Sequence, residues 1–129
     1  MDREILFRGK RIDNGEWVEG YYARSGGGFI LKDNGLTYGG FEMFDVVPKT
    51  ICQYTGSTDK NGKKIFEGDI VDVFDDILKI VWDEIYASFC FVRTDSQNRE
   101  FYKYFFGEGC GEEECEVIGN IFDNLELAG

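Results

Sequence analysis

Apolar and polar positions alternate in short runs along most of this 129-residue chain. In Leu78-Lys79-Ile80-Val81-Trp82 every even position is apolar, the period-two signature of a strand with one buried face. Ser88-Phe89-Cys90-Phe91-Val92 is apolar on both faces and suits a central strand. The same reading predicts strands over residues 5–12, 17–22, 29–31, 36–38, 51–54, 65–66, 69–74, 87–93 and 116–121. Three Asn-Gly pairs punctuate the runs, at Asn14-Gly15, Asn34-Gly35 and Asn61-Gly62. Asn-Gly suits the centre of a type I′ turn, where both residues need positive φ, so three hairpins or tight turns are predicted there. The second joins 29–31 to 36–38. One helix is predicted, over 97–106: Asp95 or Ser96 caps it, and Phe101, Tyr104 and Phe105 fall at i, i+3 and i+4. Its aromatic content suits a strand almost as well. Gly107–Gly111 ends it, and residues 124–127 form at most a loose turn. Many short strands at this spacing predict a mainly β fold, a small barrel or a sandwich.

The length suits one domain, 1–129, with no repeat and no low-complexity linker. With 43% hydrophobic and 16% aromatic residues, the chain has the material for a core of its own. Charge adds an asymmetry to this picture. The formal net charge is −11, and it is carried by one half. Residues 1–64 hold 10 basic against 9 acidic side chains, and residues 65–129 hold 4 against 16. Such an acidic chain repels nucleic acid at long range, which argues against a DNA-coating role. Its acidic half is either a solubilising surface, a face for a basic partner, or a mimic of nucleic acid.

The candidate chemistry is thin. The chain has no histidine, which removes histidine acid–base catalysis, Ser-His triads and histidine metal ligands together. No spacing offers a serine or cysteine another activating base. No catalytic residue is expected, and the protein reads as a non-enzyme. Cys110-Gly-Glu-Glu-Glu-Cys115 is half of a zinc pattern whose second half is missing. Cys52 and Cys90 sit in apolar runs and read as small buried hydrophobes. Glu67-Gly68-Asp69 at a strand start would place two carboxylates on one side of a strand, a conceivable oxygen site for a divalent cation, but Glu-Gly-Asp before Ile-Val is also ordinary turn chemistry. Asp59-Lys60-Asn61-Gly62 resembles a calcium loop and lacks its closing glutamate. Thr55-Gly56-Ser57-Thr58 with Lys60, Lys63 and Lys64 fails the phosphate-loop spacing. No cofactor and no metal is expected. Arg3, Arg8, Lys10 and Arg11 form a basic patch, and with Trp17 and Tyr21 they could make a stacking and phosphate-binding face. The opening Met1-Asp2-Arg3-Glu4 lacks a signal-peptide pattern and no stretch is apolar enough to span a bilayer, so a cytoplasmic location without membrane contact is expected.

Several blocks then come together. Glu4-Ile5-Leu6-Phe7-Arg8-Gly9-Lys10 followed by Gly15-Glu16-Trp17-Val18-Glu19-Gly20 resembles the opening of the YopX family of phage and prophage proteins. The centre resembles its most distinctive block: Val47-Pro48-Lys49-Thr50-Ile51-Cys52-Gln53-Tyr54-Thr55-Gly56, then Asp59-Lys60-Asn61-Gly62-Lys63-Lys64-Ile65-Phe66-Glu67-Gly68-Asp69-Ile70-Val71. Glu116-Val117-Ile118-Gly119-Asn120-Ile121-Phe122-Asp123-Asn124 resembles its C-terminal signature, although the family's usual Pro-Glu-Leu continuation is Leu125-Glu126-Leu127 here. The resemblance is strongest over 3–71 and 116–124 and weakest over 72–115. It implies a mainly β fold with a small SH3-like barrel, additional strands and a phage or prophage origin, and it brings no activity.

The positions that carry the resemblance are mostly turn-formers and strand cores. Binding candidates among them and beside them are Trp17, Gln53, Tyr54, Asp59, Lys60, Asn61, Glu67 and Asp69, with Asn120 as a further polar position; turn chemistry is the competing account of the Asp and Asn members. The resulting expectation is a non-enzymatic phage accessory protein that self-associates and binds a host or phage protein. Nucleic-acid binding through the basic N-terminal face, and acidic mimicry of nucleic acid centred on Glu112, Glu113 and Glu114, are the alternatives.

Overall fold

The fold is described from a computed structural model, which places residues 5–24, 27–33, 40–85, 87–93, 103–105 and 114–124. The chain gathers into two compact units, Met1–Tyr54 and Thr55–Gly129.

The first unit is an antiparallel meander. Its strands are β1 (Phe7–Lys10), β2 (Trp17–Arg24), β3 (Gly28–Asp33) and β4 (Phe41–Val46), then a 3₁₀ turn at Pro48–Thr50 and the start of β5 (Cys52–Thr58). The order across the sheet is β4-β3-β2-β1-β5. Residues of alternate parity turn inward. Val18, Ile30 and Val46 form the core, with Phe7, Phe44 and Ile51 packed against them. The sheet coils until its ends meet. Arg11, just past β1, bridges to Val46 of β4, the Ile12 N–H donates to the Asp45 carbonyl at 3.0 Å, and the Val47 N–H donates to the Lys10 carbonyl at 2.9 Å. The 3₁₀ turn locks this corner: buried Thr50 accepts from the Lys10 N–H at 2.9 Å and donates to the Val47 carbonyl at 2.6 Å.

The second unit begins with the rest of β5 beside β6 (Lys64–Phe66), where the Thr55 hydroxyl donates to the Ile65 carbonyl at 2.8 Å. A second antiparallel sheet follows, built of β7 (Asp69–Val73), β8 (Asp76–Asp83), β9 (Ser88–Arg93), β10 (Lys103–Phe105) and β11 (Glu116–Asn120) in the order β10-β9-β8-β7-β11. Ile65, Val71, Leu78, Ile80, Phe89, Phe91 and Cys115 form its core. In β8 Leu78 and Ile80 point inward as their alternation requires, while Asp76 and Trp82 at its ends are exposed, the Trp82 ring edge-on to Phe89 at 4.9 Å. Phe89, Cys90, Phe91 and Val92 are all buried, as a run apolar on both faces demands.

The mainly β expectation holds, and the barrel does not. The described strands form two antiparallel sheets rather than a closed barrel, and the first unit's ends meet through a single bridge instead of a ladder.

The helix expected over 97–106 is corrected where it can be seen. Lys103–Phe105 is a strand paired with Cys90–Val92 of β9, and residues 97–102 and 106 lie outside the described residues. The i, i+3, i+4 spacing suits a helix while the aromatic content suits a strand almost as well, and for Lys103–Phe105 the pairing to β9 decides it. The hairpin expected between 29–31 and 36–38 is also different. Strand β3 pairs with β4, Asp33 opposite Phe41, with residues 34–40 between them, and 34–39 lie outside the described residues.

The Asn-Gly turns differ in detail as well. Gly15 and Gly62 adopt φ of +73° and +80°, whereas no described Asn has positive φ, so neither turn is type I′. In both, a side chain ahead of the glycine closes the loop: Asn14 accepts from the Glu16 N–H, and Asp59 from the Asn61 N–H. The two-residue loop with positive φ at both centres is Phe74-Asp75, at +50° and +72°, between paired Val73 and Asp76.

Candidate functional site

The second unit gathers most of the expected polar candidates, and it uses them as joints. Asp59 opens the turn between β5 and β6. Its Oδ1 accepts from the N–H groups of Asn61 and Lys63, both at 2.9 Å, and its Oδ2 accepts from the Val117 N–H at 2.9 Å. The turn backbone closes around it, with the Asp59 N–H on the Lys63 carbonyl at 2.8 Å and the Lys60 N–H on the Cys115 carbonyl at 3.0 Å. The side chain is buried. Burial alone would raise the carboxyl; the donors at Val117, Lys63 and Asn61 and the Lys63 charge outweigh it and hold it below the usual carboxylate range. Asp59 is thus an ionised staple with its lone pairs engaged. Lys60 is exposed and pairs with Glu116 at 3.3 Å. Asn61 is exposed at the tip of the turn.

Glu67 and Asp69 are separated by their environment. Asp69 is almost fully buried and accepts from the Phe66 N–H at 2.7 Å. Glu67 lies in the turn before β7, so the two do not share one side of a strand as the sequence suggested. The turn is anchored further by the Gly68 N–H on the Ile80 carbonyl and the Ile121 N–H on the Gly68 carbonyl, at 2.8 and 2.9 Å. Asn120 belongs to the same kind of joint. Its Oδ1 accepts from the N–H groups of Phe122 and Asp123, at 3.0 and 2.9 Å, and its Nδ2 donates to Asp123 Oδ2 at 3.1 Å. The Asn124 Oδ1 returns to the Asn120 N–H, and its side chain lies against Gly119, where a Cβ would collide with it. The motif polar residues of this unit are chiefly architectural.

Among the described residues no three His, Cys, Asp or Glu side chains gather as metal ligands. Cys115 is buried in the core of the second unit, and Cys52 and Cys90 are buried. Cys110 lies outside the described residues, as do Glu112 and Glu113; Glu114 is exposed. No helix among the described residues is long and apolar enough to cross a membrane.

In the first unit the candidates divide. Tyr54 is buried, and its N–H donates to the Leu6 carbonyl at 2.8 Å. Gln53 is half-buried opposite Phe7. Trp17 is half-buried, with the Arg8 guanidinium 4.5 Å and the Lys10 ammonium 5.7 Å from its ring centre. Two members of the expected basic patch are therefore gathered on one indole. Arg11 is turned elsewhere, paired with Asp13 at 2.6 Å and lying 4.6 Å over the Phe44 ring; Arg3 lies outside the described residues.

A surface that the motifs did not mark lies on the outer face of this sheet, opposite its core. Tyr21 of β2 is in register with Leu31 of β3, and Leu31 with Met43 of β4. Phe41 meets Tyr21 edge-on at 6.3 Å. Tyr21, Phe41 and Met43 are 55%, 53% and 61% exposed. Trp17 shares this face by strand parity. In the sequence Trp17 and Tyr21 stand out as the aromatic part of a stacking face beside the basic patch; Leu31, Phe41 and Met43 carry no such signal.

The class is now defined: a two-unit antiparallel β protein whose motif residues hold its turns together and whose N-terminal sheet presents an apolar face. A YopX protein family profile matches residues 6–128, and the chain belongs to that family. Among solved structures, the crystal structure of protein EF1440 from Enterococcus faecalis is similar in fold, with a TM-score of 0.52 at 21% identity, covering 99% of this chain and 100% of that one. No curated protein matches this chain.

Proposed function

We propose that this protein is a non-enzymatic phage or prophage accessory protein that binds a protein partner through the outer face of its N-terminal sheet. The observation that carries this reading is the row of exposed Tyr21, Met43 and Phe41 running across half-buried Leu31. Contiguous aromatic and methionine side chains are what protein interfaces concentrate at their centres. Solitary exposed hydrophobics are commonplace, but a cross-strand row spanning three strands is not. Asp59, Asp69 and Asn120 of the family blocks are engaged in turns, which favours this face as the surface for recognition. A protein partner is favoured over nucleic acid because Arg8 and Lys10 already lie against Trp17 and because Glu19 is opposite Arg8 in the ladder.

The test is affinity capture from bacterial lysate by the wild-type chain and by Tyr21→Ala/Met43→Ala, with and without nuclease. A protein retained after nuclease and lost from the double variant supports the reading. Retention of nucleic acid alone, removed by nuclease and by salt, would replace it with nucleic-acid binding. Capture that ignores both substitutions would move the site away from this face.

A further inference from the structure

We propose that β4 receives an extended basic peptide by strand addition, which would make the partner of the outer face a segment that continues the sheet. The inference rests on the protein-binding reading above and deepens it.

The argument starts from the hydrogen-bonding parity of β4. The Asp45 carbonyl accepts from Ile12 and the Val47 N–H donates to Lys10, so these odd positions direct their main-chain groups away from β3. Groups two residues apart on a strand point the same way. Met43 and Phe41 therefore also direct their N–H and C=O outward. Beyond Ile12 the chain turns away through Asn14-Gly15, and no described strand pairs with β4 at Phe41–Phe44. Among the described residues, the ladder that Arg11 and Ile12 begin on this edge goes no further.

The edge also has a seat. A groove of about 330 Å³ runs beside it, lined by Arg11, Ile12, Asp13 on one wall and Glu42, Met43, Phe44, Asp45 on the other. Its apolar surfaces are Ile12 at 58% exposure and Met43 at 61%. Its charge is unbalanced. Arg11 is held on Asp13 by two hydrogen bonds of 3.0 and 2.6 Å and its charge also reaches Glu42, which stands opposite Lys32 in the β3 ladder; the lining nonetheless sets one guanidinium against the carboxylates of Asp13, Glu42 and Asp45, and no described ion pair engages Asp45. The edge, unpaired among the described residues, selects an extended backbone; on the outer face, where parity places Met43 and Asp45 together, it selects lysine or arginine, whose apolar stem suits Met43 and Ile12 and whose head suits Asp45. Edges open to pairing are a liability in a free monomer and are normally blunted; in a binding module they are the means of recognition.

The probe is a fluorescein-labelled peptide of alternating Val and Lys, compared with its Val/Glu counterpart and with a Val/Lys peptide N-methylated on its ladder-facing amides. Anisotropy gives affinity, and ¹⁵N-resolved amide shifts give location. Binding of the Val/Lys peptide with shifts centred on Phe41–Asp45, weakened about tenfold or more by N-methylation, is the expected result. Met43→Pro should weaken it similarly, since it removes an outward donor and leaves the β3 ladder intact. Should that variant fail to fold, the N-methylated peptide makes the same test on the ligand. Equal binding of the Val/Lys and Val/Glu peptides, indifference to N-methylation, shifts elsewhere, or absence of binding would each overturn the proposal. Tyr21→Ala/Met43→Ala losing a lysate partner that Met43→Pro retains would overturn strand addition while leaving the face as the binding surface. A partner unaffected by all these variants would remove both.

Discussion

The Asp59 carboxylate accepts a hydrogen bond from the main-chain N–H of Val117 at 2.9 Å, across 58 positions of sequence. Two blocks that look independent along the chain are therefore one joint. One carboxylate oxygen shapes its own turn through Asn61 and Lys63, while the other holds the start of β11. Replacing Asp59 by Asn keeps the size and one acceptor but sets an amide NH₂ against a main-chain donor. Asp59→Asn should cost about 2–3 kcal/mol at neutral pH, the range for losing a charge-assisted bond and stranding a buried donor. The native carboxyl titrates below its unfolded value of about 3.9. The stability it contributes is thus complete above that value and disappears as pH falls through the lower folded one. Urea unfolding of both proteins at pH 7 and pH 3 should show a gap that narrows in acid; a gap independent of pH would mean that the ionised form is not what the joint uses.

The hairpin between β7 and β8 carries the reverse lesson. Phe74 and Asp75 both adopt left-handed φ, a conformation costing L-residues about 1–2 kcal/mol each. Phe74 is also 78% exposed, so burial does not offset its share. Phe74→Asn with Asp75→Gly supplies the residues that this geometry prefers. The double variant should be more stable by about 1–2 kcal/mol, after allowing for the flexibility that glycine adds to the unfolded chain. Thermal and urea melts check this, and a destabilised variant would assign Phe74 a packing role that its exposure does not suggest.

These two turns mark the limits of reading the chain by eye. The Asp59 turn was legible because Asp, Asn and Gly act on their own backbone, but its partner was not: nothing local in Val117 announces it. The Phe74-Asp75 turn was invisible because Phe74 is no turn-former and no glycine follows Asp75; the pairing of β7 with β8 imposes it. Strand β4 was missed for a third reason. Phe41, Met43, Phe44 and Val46 place apolar residues on both parities, so no period-two signal emerges, and its neighbour β3 supplies the specification. Strands β8 and β9, whose alternation or full apolarity is unambiguous, were read correctly. The site followed the same logic. Asp59, Asp69 and Asn120 are marked by their motifs and hold turns, whereas the exposed row of Tyr21, Phe41 and Met43 exists only once three strands are set side by side.

Gly20 tests that side-by-side packing. A Cβ built on it would collide with the main-chain carbonyl of Leu31, which is backbone and cannot swing aside. Gly20→Ala must separate β2 from β3 or shift their register, at a cost of about 1–3 kcal/mol typical of overpacking. The row of Tyr21 and Leu31 would be disturbed with it. Stability should fall, and binding by the outer face should weaken in the same variant. The contrast is Tyr21→Ala, whose exposed position predicts a stability change within about 0.5 kcal/mol. Paired melts and binding isotherms separate the two effects; an unchanged melt for Gly20→Ala would show that the strands have room to spare.

Asn120 permits a prediction in which the carboxyl's folded pKa moves the opposite way from that of Asp59, although both losses fade in acid. Its Oδ1 receives two main-chain donors, and its Nδ2 donates to Asp123 Oδ2 at 3.1 Å. Asn120→Asp is nearly isosteric, so the acceptor half survives. The donor half becomes a second carboxylate oxygen facing Asp123. Two carboxylates at that separation repel, and the variant residue's acid form, which can donate as the amide did, is favoured. Its folded pKa is therefore raised above the unfolded value of about 3.9. The destabilisation is present in full above the raised folded value and disappears as pH falls below the unfolded one. At pH 7 it should amount to about 1–3 kcal/mol, the cost of leaving a buried polar contact unmade. Asp123→Asn in the same chain should remove the repulsion and restore most of the loss, since an amide can again be donor to the new carboxylate. Chemical denaturation of the single and double variants across pH 4–8 reads both effects, and a loss that neither acid nor Asp123→Asn relieves would place the role of Asn120 in the turn backbone alone.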